Sequence, residues 1–207
     1  MSEAEDLGGR IRAARQARGM SLRALAKKVG VSASMLSLVE TGRSRSSVST
    51  LYAIVEALDM SMVDLFDTPP SPNGSAPVPA AATIEARLDA EVAIVRRDQG
   101  RRIEMDSGVV WEQLGPATGS GTEFLRVTYP PGAKSSVSGR FQRHTGHEHA
   151  YIMDGELTCQ VGFQEVVLGP GDSMVFDSSR PHLLENRSDR DVHAIWFIVR
   201  PKPDSGP

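Results

Sequence analysis

The sequence predicts an α+β protein of two domains, an all-α domain followed by an all-β domain. Before residue 68, apolar residues recur with a helical period; after residue 83, they alternate with polar ones. Between these regions, the stretch TPPSPNGSAPVPAAA holds five prolines and almost no charge, which is typical of a semi-rigid linker. The predicted organisation is therefore a first domain at 1–67, a linker at 68–83, a second domain at 84–200 and a flexible tail at 201–207.

Five short helices are predicted in the first domain. The first contains Ile11 and Ala14 and ends at Gly19, and serines at positions 21 and 32 cap the second and third. The stretch SSVSTLYAIVEALDM supplies a fourth helix and SMVDLF a short fifth. The apolar face of the fourth helix consists of Val48, Leu51, Ile54, Val55 and Leu58.

Strand-like runs fill the second domain. They are VAIVRR, RIEMDSGVVWEQL, EFLRVTY, AYIMDGELTCQV, EVVLGPGDSMVF and VHAIWFIV. The turn sequences YPPGAK, DG, GPGD and NRSD punctuate them. Many short strands with frequent turns predict an antiparallel barrel or a double-sheet roll.

Composition and charge narrow the class of protein. No apolar run reaches the roughly 18 residues of a membrane span, and the acidic N-terminus differs from a secretory signal, so we expect a cytoplasmic protein without membrane contact. Cys159 is the only cysteine, which excludes an internal disulfide.

The charge is unevenly distributed along the chain. Between Arg10 and Thr50 there are nine Lys or Arg residues and one acidic residue, Glu40, although the whole chain carries a net charge of -3. The first domain is therefore the part expected to attract a polyanion.

The stretch SLRALAKKVGVSASMLSLVETGRSRSSVSTLYAIVEALDMSMVDLF closely resembles the Cro/repressor-type (Xre) helix-turn-helix family. The resemblance implies that the third helix enters the major groove of a double-stranded DNA operator. It also implies that Leu36 and Val39 face the core and that Arg15 and Glu40 form an internal ion pair. The outward face of the recognition helix would then be Ser32, Ala33, Ser34, Ser37 and Leu38. Basic side chains expected at phosphates are Arg23, Lys27, Lys28, Arg43 and Arg45.

The stretch RHTGHEHAYIMDG concentrates three of the five histidines. Side chains alternate along a strand, so His144 and Glu148 share one face, whereas His147 and His149 point to the other and are expected at the surface. His144 and Glu148, completed by His182, offer two imidazoles and one carboxylate with open positions. Such a set suits a divalent metal ion such as Fe, Mn, Ni or Zn.

The same residues resemble the cupin family, a jelly-roll barrel. HTGHEHAYIMDG, GPGD and HLLEN match its two motifs, except that Gln142 stands where the first motif has its first histidine. The pocket residues implied are Gln142, His144, Glu148 and His182. They hold either a metal, with Gln142 as a weak fourth ligand, or an organic ligand without metal. The strand aromatics Trp111, Tyr151, Trp196 and Phe197 are candidates for the pocket wall or the core.

Two functions remain open from the sequence. The first is a homodimeric DNA-binding transcriptional regulator whose cupin domain senses a small molecule or a metal ion. The second is a non-haem iron enzyme resembling hydroxypropylphosphonate epoxidase, which also joins a helix-turn-helix-like domain to a cupin. The basic residues of the first domain favour the regulator, and no catalytic residue is assigned. The sequence identifies neither the effector nor the operator, nor whether DNA binding represses or activates.

Overall fold

The structure, a computed structural model, describes residues 3–60, 62–66, 94–96, 99–115, 122–136 and 139–200. The predicted linker 68–83 and tail 201–207 lie outside the described residues. Of the predicted strand VAIVRR, only residues 94–96 are described, and they form no regular element. No helix in these ranges is long and apolar enough to cross a membrane.

Among the described residues of the first domain, there are four α-helices and one 3-10 helix. The α-helices are α1 (Glu3–Ala17), α2 (Leu22–Val29), α3 (Ala33–Glu40) and α4 (Val48–Ala57). The prediction of a fifth α-helix is wrong, because Met62–Leu65 forms a single turn of 3-10 helix, a common state for so short a segment. The predicted caps Ser21 and Ser32 accept hydrogen bonds from the backbone N–H groups of Ala24 and Met35.

The helices enclose the core that the spacing predicts. Leu36 and Val39 of α3 are buried, and all five predicted inward residues of α4 are buried as well. Arg15 donates to both carboxylate oxygens of Glu40, at 2.6 and 2.8 Å, which confirms the expected ion pair between α1 and α3.

In the described part of the second domain, nine antiparallel strands form two sheets. They are β1 (Arg102–Glu104), β2 (Val110–Gln113), β3 (Thr122–Tyr129), β4 (His147–Asp154), β5 (Leu157–Val161), β6 (Gln164–Leu168), β7 (Ser173–Asp177), β8 (His182–Glu185) and β9 (Val192–Val199). The large sheet has the order β1-β2-β3-β9-β4-β7, and the small one has the order β6-β5-β8. The crossovers between sheets are those of a double-sheet roll, and the apolar faces meet in its interior.

The start of α4 rests on the barrel. The N–H of Ser49, which has no partner inside the first turn of α4, donates to the Ser135 carbonyl at 3.2 Å. Just before α4, the Ser46 carbonyl accepts a hydrogen bond from the Asp106 N–H at 3.1 Å. These contacts bring one helix of the first domain against the interior of the second.

Candidate metal site and nucleic-acid surface

His144, Glu148 and His182 meet inside the barrel. His144 lies just before β4, Glu148 lies on β4 and His182 starts β8. Their ligand atoms all lie within 4.8 Å of one another, and the residues are 4%, 2% and 0% exposed. His147 and His149 are exposed on the opposite face of β4, as the alternation predicts.

The polar atoms of this cluster converge on one point. Glu148 Oε1 lies 2.8 Å from Nε2 of His144 and 3.2 Å from Nε2 of His182. Even so, all three atoms lack a hydrogen-bond partner among the described residues, as does the buried Oε1 of Gln142. Because buried polar atoms are normally paired, the three ligand atoms of His144, Glu148 and His182, all within 4.8 Å of one another, fit a bound cation.

Neighbouring groups fix the orientation of the ligands. Trp196 Nε1 donates to Glu148 Oε2 at 2.6 Å, which leaves Oε1 directed at the histidines. His182 Nδ1 lies 2.9 Å from the Arg180 carbonyl oxygen, which can only accept, so Nδ1 carries a proton and the ring is held with Nε2 directed at Glu148 Oε1. A ligand held in this way is typical of metal sites.

Glu148 is ionised despite its burial. Burial alone would raise the pKa of Glu148, but the adjacent imidazoles of His144 and His182 outweigh it and hold that pKa well below its usual range. A carboxylate and two imidazoles fit Fe(II), Mn(II) or a similar divalent ion, which would act as a Lewis acid when bound. Gln142 is 5% exposed and lies beside them, where its amide oxygen can supply at most a weak fourth ligand.

A cavity of about 10 Å³ lies beside Glu148 and Gln142. Its wall includes Trp111 and Trp196, as the sequence suggested, but Tyr151 and Phe197 are exposed on the outside of the large sheet. Their positions on β4 and β9 alternate away from the interior. The lining residues are Val48, Tyr52, Trp111, Leu125, Val127, Tyr129, Gln142, Glu148, Leu184, Trp196 and Ile198.

Tyr52 is the site residue that sequence reasoning missed. It belongs to α4, and its ring stacks on the His144 ring with centroids 3.9 Å apart and an interplanar angle of 8°. Burial, and to a smaller extent the carboxylates of Glu123 and Glu148, raise the pKa of the Tyr52 hydroxyl well above its usual value. The phenol is therefore neutral, and its contact with His144 is one of ring on ring. No sequence signal marks it, because the contact crosses between the domains.

Glu123 and Arg200 lie behind Tyr52. Arg200 Nε is 2.9 Å from Glu123 Oε1, and the Arg200 guanidinium carbon is 5.5 Å from the centre of the Tyr52 ring. Burial raises the pKa of Glu123 to about 7, despite the opposing charge of Arg200. The Arg200 guanidinium therefore contacts both the carboxyl group of Glu123 and the aromatic ring of Tyr52.

The predicted nucleic-acid surface surrounds α3. Ser32, Ser34 and Leu38 are exposed, whereas Ala33 and Ser37 are partly buried. Among the basic residues, the side chains of Arg23, Lys27 and Arg43 lie at the surface.

Two of the predicted phosphate-binding residues have partners within the chain. Lys28 Nζ donates to the Ala57 carbonyl at the end of α4, at 2.9 Å, where a cation also stabilises the helix dipole. Arg45 pairs with Glu104 of β1 at 2.7 Å, and both side chains remain about half exposed. Lys28 therefore has a structural role in this arrangement, and Arg45 links the two domains.

Comparison with known proteins identifies both domains. The family model described as helix-turn-helix matches residues 11–65, and the model described as cupin domain matches residues 125–198. The chain therefore joins a helix-turn-helix domain to a cupin domain. The HTH-type transcriptional regulator PuuR of Escherichia coli (strain K12) is 26% identical to this chain over 184 residues, which cover 87% of this chain and 88% of PuuR.

Two further relatives match this chain over almost its whole length. The HTH-type transcriptional regulator SutR of Escherichia coli (strain K12) is 25% identical over 190 residues, 91% of each chain. The crystal structure of an HTH_3 family transcriptional regulator from Vibrio cholerae shares its fold with a TM-score of 0.65 and 20% identity. The match covers 96% of this chain and 97% of that one.

Proposed function

We propose that the chain binds a double-stranded DNA operator as a homodimer and that a small molecule or metal ion in the cupin site changes its affinity for that DNA. The observation that carries this proposal is the position of α4. This helix packs in the core of the DNA-binding domain, and its Tyr52 also stacks on His144 of the buried cluster. A change at the cluster can therefore reach the DNA-binding domain through one helix.

The exposed basic residues around α3 support phosphate binding. Arg23, Lys27 and Arg43 lie at the surface, and no acidic side chain projects from the recognition face at Ser32, Ser34 or Leu38. The short polar side chains on that face can read base edges only weakly, so DNA shape is expected to contribute to sequence preference.

Replacement of Arg43 by alanine is expected to weaken binding to duplex DNA of any sequence. It removes one phosphate contact from each protomer of the dimer, so the slope of log affinity against log salt concentration should become shallower by about two. Fluorescence anisotropy at several salt concentrations measures both quantities. Arg187→Ala is the matched control, since Arg187 is an equally exposed arginine paired with Glu165 and Glu185 on the barrel. Equal salt slopes for Arg43→Ala and the wild-type chain would contradict the assignment of Arg43.

An apolar stripe on the outside of the large sheet supports a dimer. It consists of Phe124, Phe197, His149 and Val175, which pair across four neighbouring strands. Phe124 and Phe197 pack edge to face at 6.1 Å, and the three apolar members are at least 38% exposed. Exposed apolar patches mark interfaces, and two-fold dimers present two recognition helices about 34 Å apart. A second copy of the chain therefore fits this stripe.

Phe197→Asp is expected to convert the dimer to a monomer and to lower operator affinity, because it places a charge at the centre of the stripe. Size-exclusion chromatography with light scattering measures the mass. Phe163→Asp is the control, since Phe163 is fully exposed between β5 and β6 of the other sheet. A Phe197→Asp protein that keeps the mass of a dimer would exclude the stripe as the interface.

The epoxidase alternative has weaker support. The relatives PuuR and SutR match nearly the whole chain and are regulators. His144, Glu148 and His182 could hold iron in an enzyme, but the same three ligands could equally hold a metal ion in a sensor site. Oxygen uptake by the iron-loaded chain in the presence of a phosphonate would favour the enzyme.

A further inference from the structure

Tyr52 is a residue of the DNA-binding domain that forms part of the cupin site. The residue is 3% exposed, and its side chain packs against three side chains of the barrel domain. Its ring is parallel to His144 at 3.9 Å and edge-on to Trp111 at 5.6 Å, with the Arg200 guanidinium on it. One ligand of the candidate metal site is therefore covered by a ring from the other domain.

The cavity beneath Tyr52 is too small for an organic ligand. Its volume is about 10 Å³. A single water molecule needs roughly 10–15 Å³, whereas pockets for organic ligands are usually about 300 Å³ or more. While Tyr52 lies on His144, the cavity beside Glu148 and Gln142 has room for a water molecule or an ion and for nothing larger.

The attachment of α4 to the barrel involves polar contacts that can separate without unfolding the helix. They include the Ser49–Ser135 and Asp106–Ser46 backbone hydrogen bonds and the exposed Arg45–Glu104 pair. The buried residues Leu51 and Ile54 of α4 belong to one continuous apolar cluster that also includes Trp111 and other residues of the barrel. Movement of the helical domain as a unit would carry Tyr52 off the site and would separate the part of this cluster that lies between the domains.

We propose that Tyr52 determines the size of the ligand that the cupin site accepts. With α4 on the barrel, the site admits a metal ion; an organic ligand reaches His144, Glu148 and His182 only when α4 and Tyr52 move away. An organic effector then favours the arrangement in which the DNA-binding domain is displaced from the barrel. This inference rests on the proposed function only in treating the cupin site as the sensor.

Diethyl pyrocarbonate is a small reagent that modifies histidines. It tests directly, on the metal-free full chain, whether the Tyr52 ring shields His144. Peptide mass spectrometry follows each histidine separately, with exposed His147 and His149 as internal references. In the wild-type chain, we expect His144 and His182 to react at least about 10-fold more slowly than the references, because both are buried. Tyr52→Ala should bring the rate of His144 close to those of the references, and Tyr52→Phe, which keeps the ring, should leave His144 protected.

A second variant distinguishes removal of the Tyr52 ring from His144 from unfolding of the helical domain. Leu51→Ala removes a buried residue of the same helix but keeps Tyr52, so His144 and His182 should stay protected. Amide exchange at Ser49 and Asp106 should accelerate in Tyr52→Ala and remain unchanged in Tyr52→Phe. The proposal is overturned by rapid modification of His144 in the wild-type chain, by continued protection in Tyr52→Ala, or by equal loss of protection in Leu51→Ala. These readouts involve neither DNA nor metal, so their failure is distinct from failure of the proposed function.

Discussion

The Glu148→Gln variant is expected to bind Mn(II) or Fe(II) at least about 100-fold more weakly than the wild-type chain, since loss of groups that only orient a ligand already costs 10–100-fold. Glu148 supplies the only carboxylate of the cluster, and its Oε1 lies within 3.2 Å of both histidines. Replacement of Oε1 or Oε2 by an amide nitrogen removes the negative charge that balances a buried cation. Calorimetric titration of chelator-treated protein measures the affinity.

Glu165→Gln is the matched control for this experiment. It makes the same chemical change on β6, where Glu165 is exposed and paired with Arg187. Its metal affinity should equal that of the wild-type chain. A wild-type chain that binds none of Fe(II), Mn(II), Ni(II) and Zn(II), or a Glu148→Gln chain that binds as tightly as wild type, would contradict the metal assignment and leave the barrel to an organic ligand.

The Glu40→Ala variant is expected to lose about 3–5 kcal/mol of the free energy of unfolding of the helical domain and with it most DNA binding. Glu40 is buried and holds Arg15 through two short hydrogen bonds. Its removal leaves the Arg15 guanidinium, only 11% exposed, without its counter-charge between α1 and α3. Chemical denaturation followed by circular dichroism at the helix band measures the change.

Glu56→Ala is the control for the helical domain. Glu56 lies on the exposed side of α4, so its replacement should change the free energy of unfolding by less than about 0.5 kcal/mol. A Glu40→Ala chain as stable as Glu56→Ala would show that the buried ion pair contributes little, and DNA binding should then survive.

The sequence was sufficient to predict features that depend on local pattern. Serine caps, the inward face of α4 and the alternation along β4 each involve residues close together in the chain. For this reason, the sequence could assign Glu148 to the opposite face of the strand from His147 and His149. His144, four residues before Glu148, was assigned to the same face as Glu148. His182 was added from a later strand as a third ligand, and the cupin resemblance supported that choice, because β8 is distant from β4 in sequence.

Features that depend on how the domains pack were beyond the sequence. Tyr52 lies next to Leu51 on α4, and nothing in the helical pattern shows that its ring reaches His144. Likewise, the pairing of Arg45 with Glu104 joins positions on opposite sides of the predicted linker. The outward direction of Phe197 follows from the register of β9 against β3 and β4, which the sequence left open.

Selection of binding sites from a pool of random duplexes by the full chain tests the regulator assignment most directly. We expect enrichment of a two-fold symmetric sequence whose half-sites lie about 34 Å, one helical turn, or a multiple of it apart. Enrichment should disappear with Glu40→Ala and remain with Glu56→Ala. A pool that stays unenriched by the wild-type chain at low salt would contradict DNA recognition, because it would show that the exposed surface of α3 does not recognise DNA.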